Sequence, residues 1–106
     1  IGLTLEFKTL LKQFVHINRS PAFYAERMHV SAAYLNEAVR TTTGLSATRN
    51  IRNEIVIRAK RMLAHSRTDI QEIARELGFE DCAYFSRLFS SVTHVSPSEF
   101  RKRYPG

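Results

Sequence analysis

The second half of the chain repeats the first half, and this internal duplication constrains the fold more than any other feature. At an offset of 50, apolar and helix-capping positions recur as the pairs Tyr34/Tyr84, Leu35/Phe85, Val39/Phe89, Thr43/Thr93 and Ser46/Ser96. In the preceding helices the offset is 49, so that Ala25 corresponds to Ala74. The second half therefore has one extra residue between its helices. We expect two similar structural units in tandem.

Each half follows the plan of a helix-turn-helix. A short helix carries a small alanine, Ala25 or Ala74, where the second helix can cross closely. The turn position lies four residues later, at His29 or Gly78. It requires a backbone that tolerates positive φ, which suits glycine and, less well, histidine. One such unit could occur by chance in any small helical protein. Two units with matching internal positions are harder to explain by chance and favour two genuine helix-turn-helix units.

Apolar periodicity and capping signals predict an all-α fold of seven helices without strands. The first four are expected near 5–16, 21–28, 32–42 and 47–65. The others should follow the capping residues Asp69, Asp81 and Ser96. Leu5, Leu10 and Phe14 are expected on the apolar side of the first helix. Tyr34 and Tyr84 are expected in the core.

Charge and composition narrow the function. The 106 residues carry a formal charge of +6, and residues 46–66 hold five basic side chains against one acidic. A basic helix of about 20 residues spans about 30 Å, close to the roughly 34 Å repeat of successive major-groove faces in B-DNA. One cysteine and four histidines without close spacing predict no metal site, and no cofactor is expected. No apolar run is long enough for a membrane span.

The motifs of the chain together resemble the AraC/XylS family of transcription regulators, in their C-terminal DNA-binding domain. The resemblance covers about residues 6–104. The motifs that carry it are IQEIARELGF at 70–79, DCAYFSRLF at 81–89, SPSEFR at 96–101, RAKRML at 58–63, VSAAYLN at 30–36 and TGLS at 43–46. It implies a homeodomain-like fold in which two helix-turn-helix units are joined by a long linker helix. His94 stands where the family usually has glycine, so we expect a left-handed, mildly strained residue there.

The resemblance implies that the N-terminal part of each second helix contacts DNA bases. The implied base-contact residues are Ala33, Asn36, Glu37, Arg40, Cys82, Ala83, Ser86 and Arg87. By its hydrogen-bonding groups, Arg87 could pair with guanine and Asn36 with adenine, and Glu37 could accept from the amino group of cytosine. Arg87 could instead pair with Glu80 or Asp81. Cys82 is interpreted as a small contact residue rather than a reactive thiol. Expected phosphate contacts are Ser31, Ser46, Arg49, Arg61 and Ser96.

These features predict one DNA-binding domain over 1–106, divided into a first unit (5–45), a linker helix (46–66) and a second unit (67–106). The expected function is sequence-specific binding of double-stranded DNA in adjacent major grooves, regulating transcription in a bacterial cytoplasm. RNA polymerase is an implied partner. A sensing or dimerising domain is expected before residue 1. The alternative is an architectural or RNA-binding helical domain without base-specific readout. An enzyme is not expected, because no nucleophile–base pair, phosphate loop or paired-carboxylate motif occurs.

Overall fold

The computed structural model of the protein describes residues 2–104, and the ends of the predicted 1–106 domain lie outside that range. Within it the chain forms seven helices and no strand, as predicted. The helices are α1 (Gly2–Phe14), α2 (Pro21–Arg27), α3 (Ala32–Thr43), α4 (Ala47–His65), α5 (Ile70–Glu76), α6 (Cys82–Thr93) and α7 (Pro97–Arg103). The predicted boundaries agree to within about three residues.

Short polar side chains begin the helices at the predicted places. The hydroxyls of Ser31, Ser46 and Ser96 accept the backbone N–H three residues later, each at 3.0–3.1 Å. Ser20, Asp69 and Asp81 accept the N–H two residues later. These bonds satisfy donors that a helix N-terminus leaves without intrahelical partners. The capping signals in the sequence thus identify the helix starts correctly.

Helix α4 runs without interruption through 19 residues. Its predicted apolar stripe is confirmed at Ile51, Ile55, Ala59 and Leu63, which are all buried, whereas Met62 is half-buried. No glycine or proline occurs within it, so that nothing in the sequence breaks the backbone hydrogen bonds of the helix.

The chain divides into two compact units, Ile1–Glu54 and Ile55–Gly106. The division falls within α4, so each unit includes part of the helix that we predicted as a separate linker. In the first unit α3 packs against α1 and α2, and the rings of Phe7 and Tyr24 meet edge to face. In the second unit α6 packs against α5 and α7 around Phe85 and Phe89.

The prediction for one residue of α1 is wrong. Leu5 is 66% exposed, because the buried face of α1 is formed by Thr4, Phe7 and Leu11 and continues to Val15. At about 100° per residue, Leu5 lies roughly 100–120° away from the centre of that face. Leu10 and Phe14 are half-buried at its margins.

Candidate nucleic-acid interface

The first helix-turn-helix is formed by α2 and α3. After α2 ends, His29 adopts a left-handed conformation with φ of 60°, and the N–H of Val30 donates to the carbonyl of Ala25 at 3.0 Å. This turn redirects the chain so that Ser31 caps α3. Ala25 is 2% exposed, consistent with a small residue where the second helix crosses the first.

The second helix-turn-helix is formed by α5 and α6, and its turn follows the same scheme. Gly78 has φ of 93°, and the N–H of Phe79 donates to the carbonyl of Ala74 at 2.9 Å. The extra residue predicted for this unit lies between Phe79 and the cap Asp81. Both turns therefore bring a second helix across a buried alanine, as the repeat predicts.

Helix α3 buries Leu35 and Val39, so its opposite face is directed to solvent. Ala33, Glu37 and Arg40 lie there and are exposed. Within residues 2–104 neither Glu37 nor Arg40 forms an ion pair, so both charged groups are available to a ligand. The predicted set is thus brought together on one face, with the exception of Asn36.

Asn36 is half-buried and turned towards the next helix. Its Oδ1 accepts the backbone N–H of Ala47, the first residue of α4, at 2.9 Å. An adenine contact uses the carboxamide oxygen as an acceptor as well as the amide nitrogen as a donor. In this arrangement the oxygen of Asn36 already has a partner.

Helix α6 presents the corresponding face of the second unit. Phe85, Leu88 and Phe89 are buried, whereas Ala83 and Arg87 are exposed. Cys82 and Ser86 are half-buried beside them, and Cys82 is a free thiol. Within the described part of the chain Arg87 pairs with neither Glu80 nor Asp81. The alternative role predicted for Arg87, an ion pair with one of these acidic residues, is therefore not seen.

The prediction that Tyr34 and Tyr84 belong to the core is wrong. Tyr34 is 59% and Tyr84 42% exposed, although the ring of Tyr84 lies 5.8 Å from that of Phe79. Each is the third residue of its helix, about 100° from the buried apolar residue that follows it. Both tyrosines therefore border the exposed face rather than the core.

The predicted phosphate contacts lie at helix starts and on α4. The hydroxyls of Ser31, Ser46 and Ser96 accept backbone N–H groups, which leaves each hydroxyl hydrogen able to donate. Ser96 also lies 3.3 Å from the hydroxyl of Ser98. Arg49 and Arg61 are exposed, and neither forms an ion pair within residues 2–104.

One polar residue of this region escaped the sequence analysis. Asn50 is 8% exposed, and its Nδ2 lies within 3.0–3.2 Å of the Thr43 hydroxyl and of the carbonyls of Leu45 and Ser46. It therefore holds the loop between α3 and α4. Its spacing of three residues from the buried Ala47 places the two residues on the same side of α4, and this was the available signal.

Among the described residues no group of three or more His, Cys, Asp or Glu side chains is placed to hold a metal ion. None of the helices in that range combines the length and the apolar character that a membrane crossing requires.

A family described as helix-turn-helix domain matches residues 24–103 of the chain. The transcriptional activator RhaR of Escherichia coli K12 is 35% identical over 78 residues, 74% of this chain and 28% of RhaR. The chain thus spans only 28% of the length of this relative.

Solved structures share the fold. The C-terminal domain of AraT, a response regulator from Geobacillus stearothermophilus, has a TM-score of 0.92 and 21% identity, over 100% of this chain and 88% of that one. An AraC-type regulator from Chromobacterium violaceum has a TM-score of 0.86 and 20% identity, over 99% and 96%. The DNA-binding domain of AdpA, solved in complex with a target DNA, has a TM-score of 0.85 and 22% identity, over 95% and 91%.

Proposed function

The chain belongs to the AraC-type helix-turn-helix family, and from this premise we propose that it binds double-stranded DNA sequence-specifically and so regulates transcription. The observation that carries the proposal is the exposed face of the second helix in each unit. Glu37 and Arg87 occupy equivalent positions at the centre of these faces, and neither is engaged in an ion pair within residues 2–104. The major groove of B-DNA admits an α-helix with such a face.

Each exposed face offers groups that distinguish base pairs. Arg87 can donate two hydrogen bonds to guanine, and Glu37 can accept from the amino group of cytosine. Ala33 and Ala83 are small enough to meet a thymine methyl group. Arg40 on the exposed face of α3, and the half-buried Cys82 and Ser86 on α6, complete the proposed base contacts.

Contacts to the DNA backbone are proposed for the capping serines and for two arginines of α4. Ser31, Ser46 and Ser96 would donate their hydroxyl hydrogens to phosphate, and Arg49 and Arg61 would neutralise its charge. Such contacts fix the register of a protein on the duplex without reading sequence. They also make affinity depend on salt, with a slope near −0.9 per neutralised phosphate.

The wider functional context is part of the same proposal. The two units have different exposed residues, so a single chain would bind an asymmetric site in two adjacent major grooves. We propose RNA polymerase as a protein partner and the bacterial cytoplasm, on the nucleoid, as the location. Sensing and dimerisation are proposed to belong to a domain outside these 106 residues. Binding, and not catalysis, is the proposed activity.

Selection from a random duplex library tests the proposal. The enriched duplex and a scrambled duplex of equal composition then compete for the protein at several salt concentrations. We expect specific binding to exceed scrambled binding by at least about 10³-fold at physiological salt, and affinity to fall steeply as salt rises. Equal affinity for both duplexes, or affinity independent of salt, would contradict the proposal.

The exposed tyrosines favour a second candidate function. Tyr34 and Tyr84 lie beside the exposed faces, and base–aromatic stacking is a common way to bind single strands. An RNA-binding or architectural domain would use them without reading base pairs. A single-stranded RNA competitor distinguishes the two functions, because it should displace the protein from selected duplex DNA only if stacking on these rings is the main mode.

A further inference from the structure

We propose that Asn36 is a positioning residue, which fixes the recognition helix α3 against the start of α4 and does not itself read a base. This inference rests on the proposed DNA-binding function. The Oδ1 of Asn36 accepts the N–H of Ala47 at 2.9 Å, and Ala47 is 1% exposed. The N–H of a first helical residue has no intrahelical partner, so the side chain of Asn36 satisfies a buried donor.

The second unit provides an independent observation. At the offset of 50, Asn36 corresponds to Ser86 and Ala47 to Pro97. Pro97 is the first residue of α7 and has no N–H, so the equivalent of Asn36 has no donor to satisfy. The shorter Ser86 replaces asparagine at the place where the requirement is absent. The first unit therefore pairs an asparagine with a residue that has an N–H, whereas the second unit pairs a serine with a proline that has none.

Reading adenine would compete with this bond. The Oδ1 atom has two lone pairs and could accept from a base amino group as well, but a bidentate contact also fixes the plane of the carboxamide, which the bond to Ala47 already orients towards α4. A reorientation that broke the bond would leave the N–H of Ala47 unsatisfied in a buried place. Asn36 instead acts on base readout through Ala33, Glu37 and Arg40, because it fixes the helix that carries them.

The first experiment measures the contribution of the Asn36–Ala47 hydrogen bond by thermal unfolding and needs no DNA. The variants are N36S, A47P and N36S/A47P, the last of which recreates the Ser86/Pro97 pair. We expect N36S to lower Tm by about 4–8 °C, as for loss of one helix cap. In the A47P background the same substitution should have little effect, since no N–H remains to be satisfied. S86A is the matched control and should leave Tm unchanged.

These variants and the wild-type protein form a double-mutant cycle, which measures the coupling between the two substitutions. The result is therefore valid even when A47P alone shifts Tm. If N36S lowers Tm equally in the wild-type and A47P backgrounds, Asn36 does not act through the N–H of Ala47 and the proposal is overturned. This arm stays informative even if the wild-type protein fails to discriminate any duplex, an outcome that would contradict the proposed function instead.

The second experiment uses N36D, which keeps an acceptor for Ala47 but cannot donate to adenine N7. The probes are the selected duplex and a set of duplexes with single base-pair substitutions. We expect N36D to weaken all duplexes by a similar factor, because of its added charge, and to keep the discrimination profile. N36A should reduce discrimination at several base pairs of the first half-site together. A loss of roughly 5- to 150-fold by N36D at one A·T pair alone would mean that Asn36 reads adenine.

Discussion

The two units join their recognition helix to the next helix through the same backbone frame but with different side-chain chemistry. In the first unit α3 ends at Gly44 with φ of 81°, and in the second α6 ends at His94 with φ of 68°. The hydroxyls of Thr43 and Thr93 each lie within hydrogen-bond distance, 2.8–3.1 Å, of the carbonyl four residues earlier and of the carbonyl two residues later. Serine caps follow in both. The backbone path of the junction is thus duplicated.

The contacts that fill this frame differ. The α3–α4 junction is polar: Asn36 and Asn50 bind the backbone of residues 43–47 and the Thr43 hydroxyl. At the position equivalent to Asn50 the α6–α7 junction has Phe100, whose ring meets Phe89 edge to face at 5.7 Å. Lys60 lies over the same ring at 5.7 Å.

This difference shows that two repeated helix-turn-helix units can keep the same backbone geometry with different contacts, hydrogen bonds in one and aromatic packing in the other. Hydrogen bonds are directional and fix a helix in one orientation, whereas aromatic packing contributes more free energy per residue and tolerates small shifts. We therefore expect the polar junction to fix the direction of α3 and the aromatic junction to supply stability to the second unit.

The largest expected effect follows from the aromatic junction. Phe89 is fully buried between Phe85 and Phe100, so Phe89→Ala should lower the free energy of unfolding by about 3–5 kcal/mol. Val39→Ala, at the equivalent place in the first unit, removes fewer buried carbons and should cost less. Urea denaturation gives the free energies, and hydrogen exchange assigns each loss to α1–α3 or to α5–α7. Equal losses for the two variants would contradict the comparison.

The second prediction concerns the exposed faces, which carry Glu37 in the first unit and Arg87 at the equivalent position of the second unit. Arg87→Ala should lose roughly 1–3 kcal/mol of discrimination on the selected duplex and much less affinity for scrambled DNA. Arg61→Ala is the matched control, because an arginine that meets only phosphate should weaken both duplexes equally. Competition titrations at fixed salt measure both ratios. If the folded Arg87→Ala protein keeps the full ratio, Arg87 is not a base-reading residue.

The sequence predicted the helices well because their signals are local. Caps such as Ser31 and Ser96, the glycine at 44 and the uninterrupted stripe of α4 act within a few residues of the feature that they specify. The burial of Leu5 and Tyr34 was predicted wrongly for the opposite reason. Which flank of an amphipathic helix is covered depends on neighbouring helices, and apolar character alone does not determine it.

The candidate site was predicted in part. The exposed faces with Glu37 and Arg87 followed from the repeat and the resemblance, and the structure leaves both side chains without an ion pair within residues 2–104. The roles of Asn36 and Asn50 could not be read in this way. Both depend on backbone groups of residues 43–47, which approach them only when α3 and α4 have packed.

The third prediction tests the polar junction. Asn50→Ala removes the amide nitrogen that lies within hydrogen-bond distance of the Thr43 hydroxyl and of the carbonyls of Leu45 and Ser46. It should cost roughly 1–2 kcal/mol, because buried acceptors lose their donor. Asn53 lies on the same helix and forms none of these bonds, so Asn53→Ala should have a small effect. Urea denaturation of both variants gives the comparison. A loss for Asn53→Ala as large as that for Asn50→Ala would show that the junction does not depend on this amide.

The smallest expected effects come from the left-handed residues, where the two units exchange residue types. The first unit has His29 in its turn and Gly44 after α3, whereas the second has Gly78 and His94 at the equivalent places. A side chain in this conformation costs about 1–2 kcal/mol, and glycine offsets part of the gain through about 0.5–1 kcal/mol of unfolded-state entropy.

His94→Gly should therefore raise Tm by a few degrees, on the basis of about 4–8 °C for each kcal/mol. Gly44→Ala should lower Tm by a similar amount, since its φ of 81° strains any side chain even though a Cβ would meet no atom within 4 Å. The pair isolates backbone conformation from packing, because the two substitutions act at the same point of the repeated frame with opposite sign. Shifts of the same sign in thermal melts would mean that the frame is not equivalent in the two units, and that His94 contributes contacts which outweigh its strain.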